Sequence, residues 1–156
     1  MGTSAGGITI GRAITSRPDL FGAAIDWVGM SDAVRSETSA NGPPNIPEFG
    51  SVKTKAGFEG LYAMSPYAHV KKGTPYPAVL LLTGANDPRV VPWQMAKMAA
   101  RLEAATSSDK PILLRVDYHG GHNVIGATRS DTEETLADIF SFMLWQLGEP
   151  GFQPAR

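Results

Sequence analysis

Three short segments of the sequence carry side chains that together could perform nucleophilic catalysis. The first spans residues 2–6, reads Gly-Thr-Ser-Ala-Gly and centres on Ser4. In a Gly-x-Ser-x-Gly pattern the serine sits on a tight strand-to-helix turn, with its hydroxyl exposed and the following N–H groups placed to bind an oxyanion. We expect larger side chains at Gly2 or Gly6 to clash with neighbouring backbone. A glycine-rich helix cap is the alternative interpretation.

The second and third segments supply a carboxylate and an imidazole. Residues 83–92 include Asn86 and Asp87, and residues 119–123 read His-Gly-Gly-His-Asn, with His122 as the fourth. An aspartate can hold a histidine in the tautomer that accepts a serine proton. Asn86 or Asp87 could instead only shape a turn, and His122 could be a solvated loop residue.

The order serine, aspartate, histidine along the chain is that of α/β-hydrolases. A metal site formed by Asp117, His119 and His122 is the rival interpretation. Only these three candidate ligands exist, without a fixed helical spacing, so we expect no metal. The glycines near Ser4 lack the Gly-Lys-Ser/Thr ending of a phosphate loop, so no cofactor is expected either. His69 is interpreted as structural.

The elements that must position these side chains form an α/β pattern. Three apolar runs predict buried strands of a mainly parallel sheet, at residues 23–28, 78–83 and 112–116. Apolar residues at helical spacing predict three flanking helices, at residues 6–16, 92–105 and 131–147. The carboxyl ends of parallel strands meet at one edge of a sheet, where the three segments would be brought together.

Two further expectations concern local structure. Ser130 is predicted to cap the last helix, with Glu133 closing a capping box. Residues 31–72 are the least regular part of the chain, and an excursion of that length between strands usually carries function rather than scaffold.

Composition limits the function classes. The chain has 156 residues, of which 42% are apolar, and this fits one domain with a real core. The net charge of −1 disfavours nucleic acid as a partner. No cysteine is present, which excludes disulfides and a thiol nucleophile, and no apolar run is long enough to span a membrane. No secretory signal is recognised, so a cytoplasmic location is expected.

Several segments resemble the catalytic domain of the prolyl oligopeptidase family of serine peptidases. The most specific are residues 17–23, Arg-Pro-Asp-Leu-Phe-Gly-Ala, and residues 80–92, which end Asn-Asp-Pro-Arg-Val-Val-Pro. Residues 2–7, 65–67 and 120–122 agree with the family as well. The resemblance covers nearly the whole chain and implies an α/β-hydrolase fold.

The resemblance also implies roles for individual residues. Ser4 would be the nucleophile, Asp87 the orienting carboxylate and His122 the general base and acid. The Ala5 N–H would be an oxyanion donor, Arg89 would bind a substrate carbonyl, and Met30 and Phe49 would line the substrate pocket. Asn45 stands near the position of the tryptophan on which substrate proline stacks in prolyl oligopeptidase. Because asparagine is not aromatic, this departure argues against proline specificity.

Residues 1–156 are expected to be one partial catalytic domain, the C-terminal part of a family member without its β-propeller. The strand before the serine would be absent, so that the helix after Ser4 alone positions it. Residues 23–28 would then form an unpaired sheet edge, which predicts a homo-oligomer through that edge.

The first functional hypothesis is a serine hydrolase that cleaves short-chain carboxylic esters through a Ser-His-Asp triad and an acyl-enzyme. Weaker positioning of the serine and the missing propeller motivate it, because esters have the easier leaving group. The alternatives are a serine peptidase acting on short peptides, as in the resembling family, and an inactive self-associating fragment.

Overall fold

The computed structural model describes residues 1–123 and 127–154 and contains a four-stranded parallel sheet in the order β1-β2-β3-β4. The strands are β1 (Gly2–Thr3), β2 (Ala23–Trp27), β3 (Ala78–Gly84) and β4 (Ile112–Asp117). All three predicted strands are present within one residue of their expected ends. The mainly parallel α/β architecture is confirmed.

Helices connect and cover the strands. They are α1 (Gly6–Ser16), α2 (Ala33–Ser36), α3 (Ile46–Phe49), α4 (Lys55–Met64), α5 (Trp93–Ala105) and α6 (Arg129–Gln146). Among the described residues, no helix is both long enough and apolar enough to cross a membrane.

The alternation of side chains along β3 builds a core on each face of the sheet. Val79 and Leu81 belong to a cluster that includes Met95, Met98 and Leu102 of α5, together with Ile14 of α1. Ala78, Leu80 and Leu82 belong to the opposite cluster, with Ile139 and Phe142 of α6. The seven residues of β3 are all buried, so this strand is the rigid centre from which the polar loop after it projects.

The irregular excursion after β2 is fastened to α5 by a buried polar network. The side-chain oxygen of Gln94 accepts hydrogen bonds from the N–H groups of Ser31 (3.1 Å) and Asp32 (2.6 Å). The Ser31 hydroxyl donates to the Gln94 carbonyl at 2.6 Å. Because Gln94 is 2% exposed, these bonds are shielded from water and fix the start of the excursion, which directly follows Met30.

Two expectations about the fold require correction. The strand before the serine is present as β1, in which Gly2 and Thr3 pair in parallel with Asp26 and Trp27. The edge of β2 is therefore covered at its carboxyl end.

The cap of α6 is the second correction. The helix begins two residues earlier than predicted, so Thr128 rather than Ser130 is the N-cap, and Asp131 rather than Glu133 completes the capping box. Both pairs offer a hydroxyl and a carboxylate three residues apart, and local sequence alone does not decide between them.

Candidate active site

Ser4 lies on the turn between β1 and α1 with a φ of 56°, a left-handed conformation that is unusual for a side chain other than glycine. Backbone hydrogen bonds on both sides impose it. The Ser4 N–H donates to the Trp27 carbonyl at 3.1 Å, and the Ser4 carbonyl accepts from Gly7 at 2.9 Å and from Met30 at 3.0 Å. The expectation that α1 alone positions Ser4 is therefore wrong, since β2 and the loop after it hold the residue as well.

The glycines around Ser4 differ in whether a larger side chain would fit at their positions. A Cβ on Gly2 would lie 2.3 Å from the Gly6 carbonyl oxygen, as the turn requires. A Cβ on Gly6 would meet no atom within 4 Å, so the expected clash at that position is wrong. The constraint falls one residue later, because a Cβ on Gly7 would lie 2.5 Å from the Cα of Gly29.

The Ser4 hydroxyl, the His122 ring and the Asp87 carboxylate meet in space. Oγ of Ser4 lies 3.0 Å from Nε2 of His122. Nδ1 of the same ring lies 2.8 Å from Oδ2 of Asp87. The side chains of His122 and Asp87 are 3% and 0% exposed, so water is excluded from their contact.

The remaining oxygen of Asp87 is held by the backbone. Oδ1 accepts hydrogen bonds from the N–H groups of Arg89 at 2.8 Å and Val90 at 2.9 Å. These two donors fix the orientation of the carboxylate toward the ring. The carboxylate thus shapes its own turn, as the alternative interpretation held, and contacts the histidine at the same time.

The loop that carries His122 is bound tightly to the end of β3. A Cβ on Gly84 would lie 2.3 Å from the Gly121 carbonyl oxygen, so the close approach of the two loops needs glycine there. The Asn86 N–H donates to the Gly120 carbonyl at 3.1 Å. Oδ1 of Asp117 accepts from the N–H of Gly120 at 2.8 Å and also caps this loop. The imidazole is therefore placed by backbone contacts rather than by a flexible loop.

A small pocket of about 100 Å³ opens beside the Ser4 hydroxyl. It is lined by Ser4, Ala5, Met30, Asn41, Asn45, Glu48, Phe49, Arg89 and Val90. The four residues that the resemblance assigned to oxyanion and substrate binding all lie in it: Ala5, Met30, Phe49 and Arg89. No acceptor for the Ala5 N–H is found among the residues that the structure describes.

Sequence reasoning missed three residues of this pocket, namely Asn41, Glu48 and Val90. Asn41 donates from its side chain to the Arg89 carbonyl at 3.2 Å and accepts from the Asn45 side chain at 2.8 Å. The excursion after β2 thereby closes over the Asp87 loop. Glu48 could have been noticed as the neighbour of Phe49, whereas nothing in the loop composition singles out Asn41.

A carboxylate within the excursion, that of Glu37, anchors the segment that follows Phe49. The carboxylate accepts from the Val52 N–H at 2.9 Å and from the Ser51 hydroxyl. The Val52 bond, followed by the Ser51 bond, lowers the pKa of Glu37 from its ordinary value. This anchor lies three residues beyond Phe49 and restrains its position.

The other histidines take no part in the site. His69 Nδ1 contacts the Ser65 carbonyl at 2.9 Å, and its ring lies 5.2 Å from that of Tyr62, which supports the structural interpretation. Asp117 Oδ1 accepts from the N–H of His119 at 2.9 Å. Within residues 1–123 and 127–154, no group of three or more candidate side chains is arranged to hold a metal ion.

Comparison with known proteins identifies the family of the chain. Residues 1–150 match the prolyl oligopeptidase family. The chain belongs to this family. The match takes in the serine turn, the aspartate loop and the histidine loop together.

Curated relatives include the prolyl endopeptidase of Elizabethkingia meningoseptica, which is 38% identical over 151 residues. The prolyl endopeptidase of Dictyostelium discoideum is 33% identical over 144 residues. The alignments cover 94% and 90% of this chain but only 21% and 19% of those proteins. The chain thus spans about a fifth of the length of the curated relatives it matches.

Solved structures agree with the fold. A prolyl endopeptidase structure superposes with a TM-score of 0.87 at 34% identity, covering 92% of this chain and 21% of that one. Oligopeptidase B from Trypanosoma brucei with covalently bound antipain superposes with a TM-score of 0.85 at 28% identity, covering 92% and 20%. The similarities favour the serine peptidase alternative over the ester hydrolase hypothesis.

Proposed function

We propose that this chain carries the catalytic triad of a serine peptidase of the prolyl oligopeptidase family and hydrolyses short peptides. The observation that carries the proposal is the continuous contact from Ser4 Oγ through the His122 ring to the Asp87 carboxylate. Burial of the ring and carboxylate supports it, because a shielded ion pair forms at the moment of proton transfer.

In the first half of the reaction, Ser4 Oγ attacks the carbonyl carbon of the scissile bond while Nε2 of His122 takes its proton. Asp87 holds Nδ1–H and stabilises the imidazolium that results. The Ala5 N–H, at the start of α1, is placed to donate to the oxyanion. When the tetrahedral intermediate collapses, His122 returns the proton to the leaving amine and an acyl-enzyme remains.

In the second half, His122 takes a proton from water, and the resulting hydroxide attacks the acyl carbon. Collapse returns the proton to Ser4 and releases the carboxylic acid. The Arg89 guanidinium would bind a substrate carbonyl, while Met30 and Phe49 would contact the side chain on its acyl side. That side chain would lie in the pocket of about 100 Å³ beside Ser4.

Labelling with a fluorophosphonate probe tests the proposal, because the probe reacts with an activated serine. We expect one adduct, located on Ser4 by mass spectrometry, in the parent chain. The control variant Ser16→Ala, at an exposed serine at the end of α1, should give the same adduct. Ser4→Ala and His122→Ala should abolish it. An intact, folded parent chain that gives no adduct on Ser4 would contradict the proposal and favour the inactive fragment.

Ester cleavage remains a second candidate activity. The pocket has Asn45 where the resemblance leads to an aromatic platform for proline, and its small volume suits a short acyl group. Turnover of p-nitrophenyl acetate and of a peptidyl-proline p-nitroanilide by the same preparation separates the two. A peptidase should cleave the anilide, and an ester hydrolase should cleave only the ester.

We further propose self-association through β2. Because β1 pairs only with Asp26 and Trp27, nothing in the described part of the chain pairs with the outer edge of Ala23, Ala24 and Ile25. An apolar cleft of about 260 Å³ lies along this edge and includes Leu20 and Leu147. Size-exclusion chromatography with light scattering should show a dimer or larger species, and a monomer at micromolar concentration would refute the idea.

A further inference from the structure

A buried carboxyl lies directly behind the serine turn and has no part in the proposed reaction. Asp26 is in β2, where it is paired with Gly2 of β1 on one side and Leu81 of β3 on the other. It is 5% exposed, and among the described residues no group donates a hydrogen bond to its Oδ1. A carboxyl in such surroundings is strongly disfavoured in its charged form.

Two glycines make room for this carboxyl. A Cβ on Gly29 would lie 1.8 Å from Oδ1 of Asp26, and a Cβ on Gly7 would lie 2.8 Å from the same atom. The Gly7 position would also be 2.8 Å from the backbone nitrogen of Met30. The N–H groups of Gly7 and Met30 are those that hold the Ser4 carbonyl. Oδ1 of Asp26 therefore lies close to the Cα atoms of Gly7 and Gly29, beside the backbone that fixes the serine turn.

The surroundings offer little charge to compensate an ionised Asp26. Burial raises the pKa of Asp26 to about 7, and the Met1 amino group opposes that rise. The apolar side chains of α1 and α5 line the space beside it: Ile10, Ile14, Met98 and Leu102. The segment Ala78–Gly84 of β3 contains no charged residue.

The charged side chains of the packed elements are engaged elsewhere or exposed. Arg12 of α1 donates to Thr15, and Lys97 of α5 pairs with Asp32 of the loop after β2. Arg101 lies over the Tyr67 ring, 4.5 Å from its centroid, and Glu103 is exposed. Among the described residues, the amino group of Met1 is thus the charge that acts on Asp26.

We propose that Asp26 is a positioning residue whose uncharged carboxyl keeps the serine turn in its reactive geometry, and that loss of its proton displaces the turn. An unpaired buried carboxylate must acquire donors. The N–H groups at the serine turn are adjacent, and a bond from one of them to Asp26 would be taken from the Ser4 carbonyl. A displacement of about 1 Å at a reacting atom can lower a rate by ~100-fold.

The displacement is tested without reference to reactivity by the amide chemical shifts of Gly7, Gly29 and Met30 in the ¹⁵N-labelled chain between pH 5 and 9. We expect the shifts to titrate together with a midpoint near 7, as the pKa of Asp26 requires. Asp26→Asn should abolish this titration, while Asp109→Asn, an exposed carboxylate, should leave it unchanged. Amides that do not titrate, or that titrate equally in Asp26→Asn, would overturn the proposal.

The effect on Ser4 rests on the proposed function and is read from the pH dependence of fluorophosphonate labelling. The parent chain and Asp26→Asn both contain His122, so the ratio of their labelling rates isolates the contribution of Asp26. From pH 6 to pH 9 the parent rate should fall at least ~10-fold relative to Asp26→Asn, within the range that small displacements cause. A ratio that is constant with pH would contradict control of reactivity by Asp26.

If Asp26→Asn does not fold, Asp26→Leu provides a neutral side chain of similar shape, and the same two comparisons apply. If neither chain is labelled at any pH, the proposed function fails, while the amide titration still decides whether Asp26 controls the serine turn.

Discussion

Asp87 and Asp26 are both buried, at 4% and 5% exposure, yet their surroundings are opposite. Asp87 follows β3 and contacts two backbone N–H groups and the His122 ring. Asp26 lies within β2, and nothing in the described structure donates to its Oδ1. The two carboxylates therefore differ in the donors around them and not in their degree of burial.

The origin of the difference is the backbone. Inside a parallel sheet the N–H groups of a strand are used by its neighbours, so a side chain there has none to accept. Where the chain turns after a strand, as at Arg89 and Val90, N–H groups point outward and can bind a carboxylate. The position of an aspartate relative to the strand end therefore determines its chemistry.

The largest effect on activity is expected at Asp87, whose carboxylate accepts hydrogen bonds from two backbone N–H groups. Asp87→Asn should lower kcat by about 10⁴-fold, equivalent to about 5.5 kcal/mol of transition-state stabilisation, because the amide favours the wrong tautomer of His122. Peptide or ester turnover measures it, with Asp109→Asn as the control. A loss smaller than ~10-fold would remove the contrast between the two aspartates.

Substitution of Asp26, whose Oδ1 accepts no hydrogen bond in the described structure, should have a large effect on stability. The pKa of Asp26 is raised from 3.8 to about 7, so the folded state loses stability as the pH rises through this interval and remains less stable above it. Asp26→Asn lacks this loss and should be more stable by about 4 kcal/mol at pH 8, with the difference vanishing toward pH 4. Urea unfolding at several pH values measures it. An equal difference at every pH would indicate a packing effect instead.

A smaller effect should follow from crowding Asp26. Gly29→Ala places a methyl group against its Oδ1 and should destabilise the fold by about 2 kcal/mol. Gly22→Ala is the control, since a Cβ there would meet nothing within 4 Å. The combination of Gly29→Ala with Asp26→Ala should recover part of the loss in thermal unfolding. Strict additivity of the two changes would mean that they do not interact.

The smallest effect is expected for the side chain of Arg89, whose contribution can be distinguished from that of the Arg89 backbone N–H. Arg89→Ala keeps the N–H that supports Asp87 and removes the guanidinium from the pocket. We expect KM for a peptide substrate to rise about 10-fold, or ~1.4 kcal/mol, with little change in kcat. A fall in kcat as large as that of Asp87→Asn would show that the side chain supports the carboxylate.

The sequence was sufficient to predict the strand-helix order and the convergence of Ser4, Asp87 and His122. Continuous apolar runs mark buried strands strongly, and polar groups after such strands must meet at one edge. Asp26 could not be predicted in the same way, because it interrupts an apolar run without revealing which groups face it across the sheet. Its isolation depends on the approach of Gly7 and Gly29, which only the folded structure shows.

The wrong expectations have a similar cause. The roles of Gly6 and Gly7 could not be distinguished, since both are small and adjacent, and the difference arises from the packing of Gly29 against α1. The two-residue strand β1 is too short to have a pattern of its own and exists because Asp26 and Trp27 pair with it. Tertiary contacts thus determine which glycine is required and whether β1 forms, and local composition does not show either.

The contact between Ser4 and His122 joins positions separated by 118 residues. Closure of so long a loop comes late when a parallel sheet assembles, since its entropy must be offset by the strands between. Reactivity of the serine would therefore appear only when refolding is nearly finished. Labelling of the Ser4 hydroxyl during refolding would then report the last stage of assembly, after the fluorescence and circular dichroism signals have reached their final values.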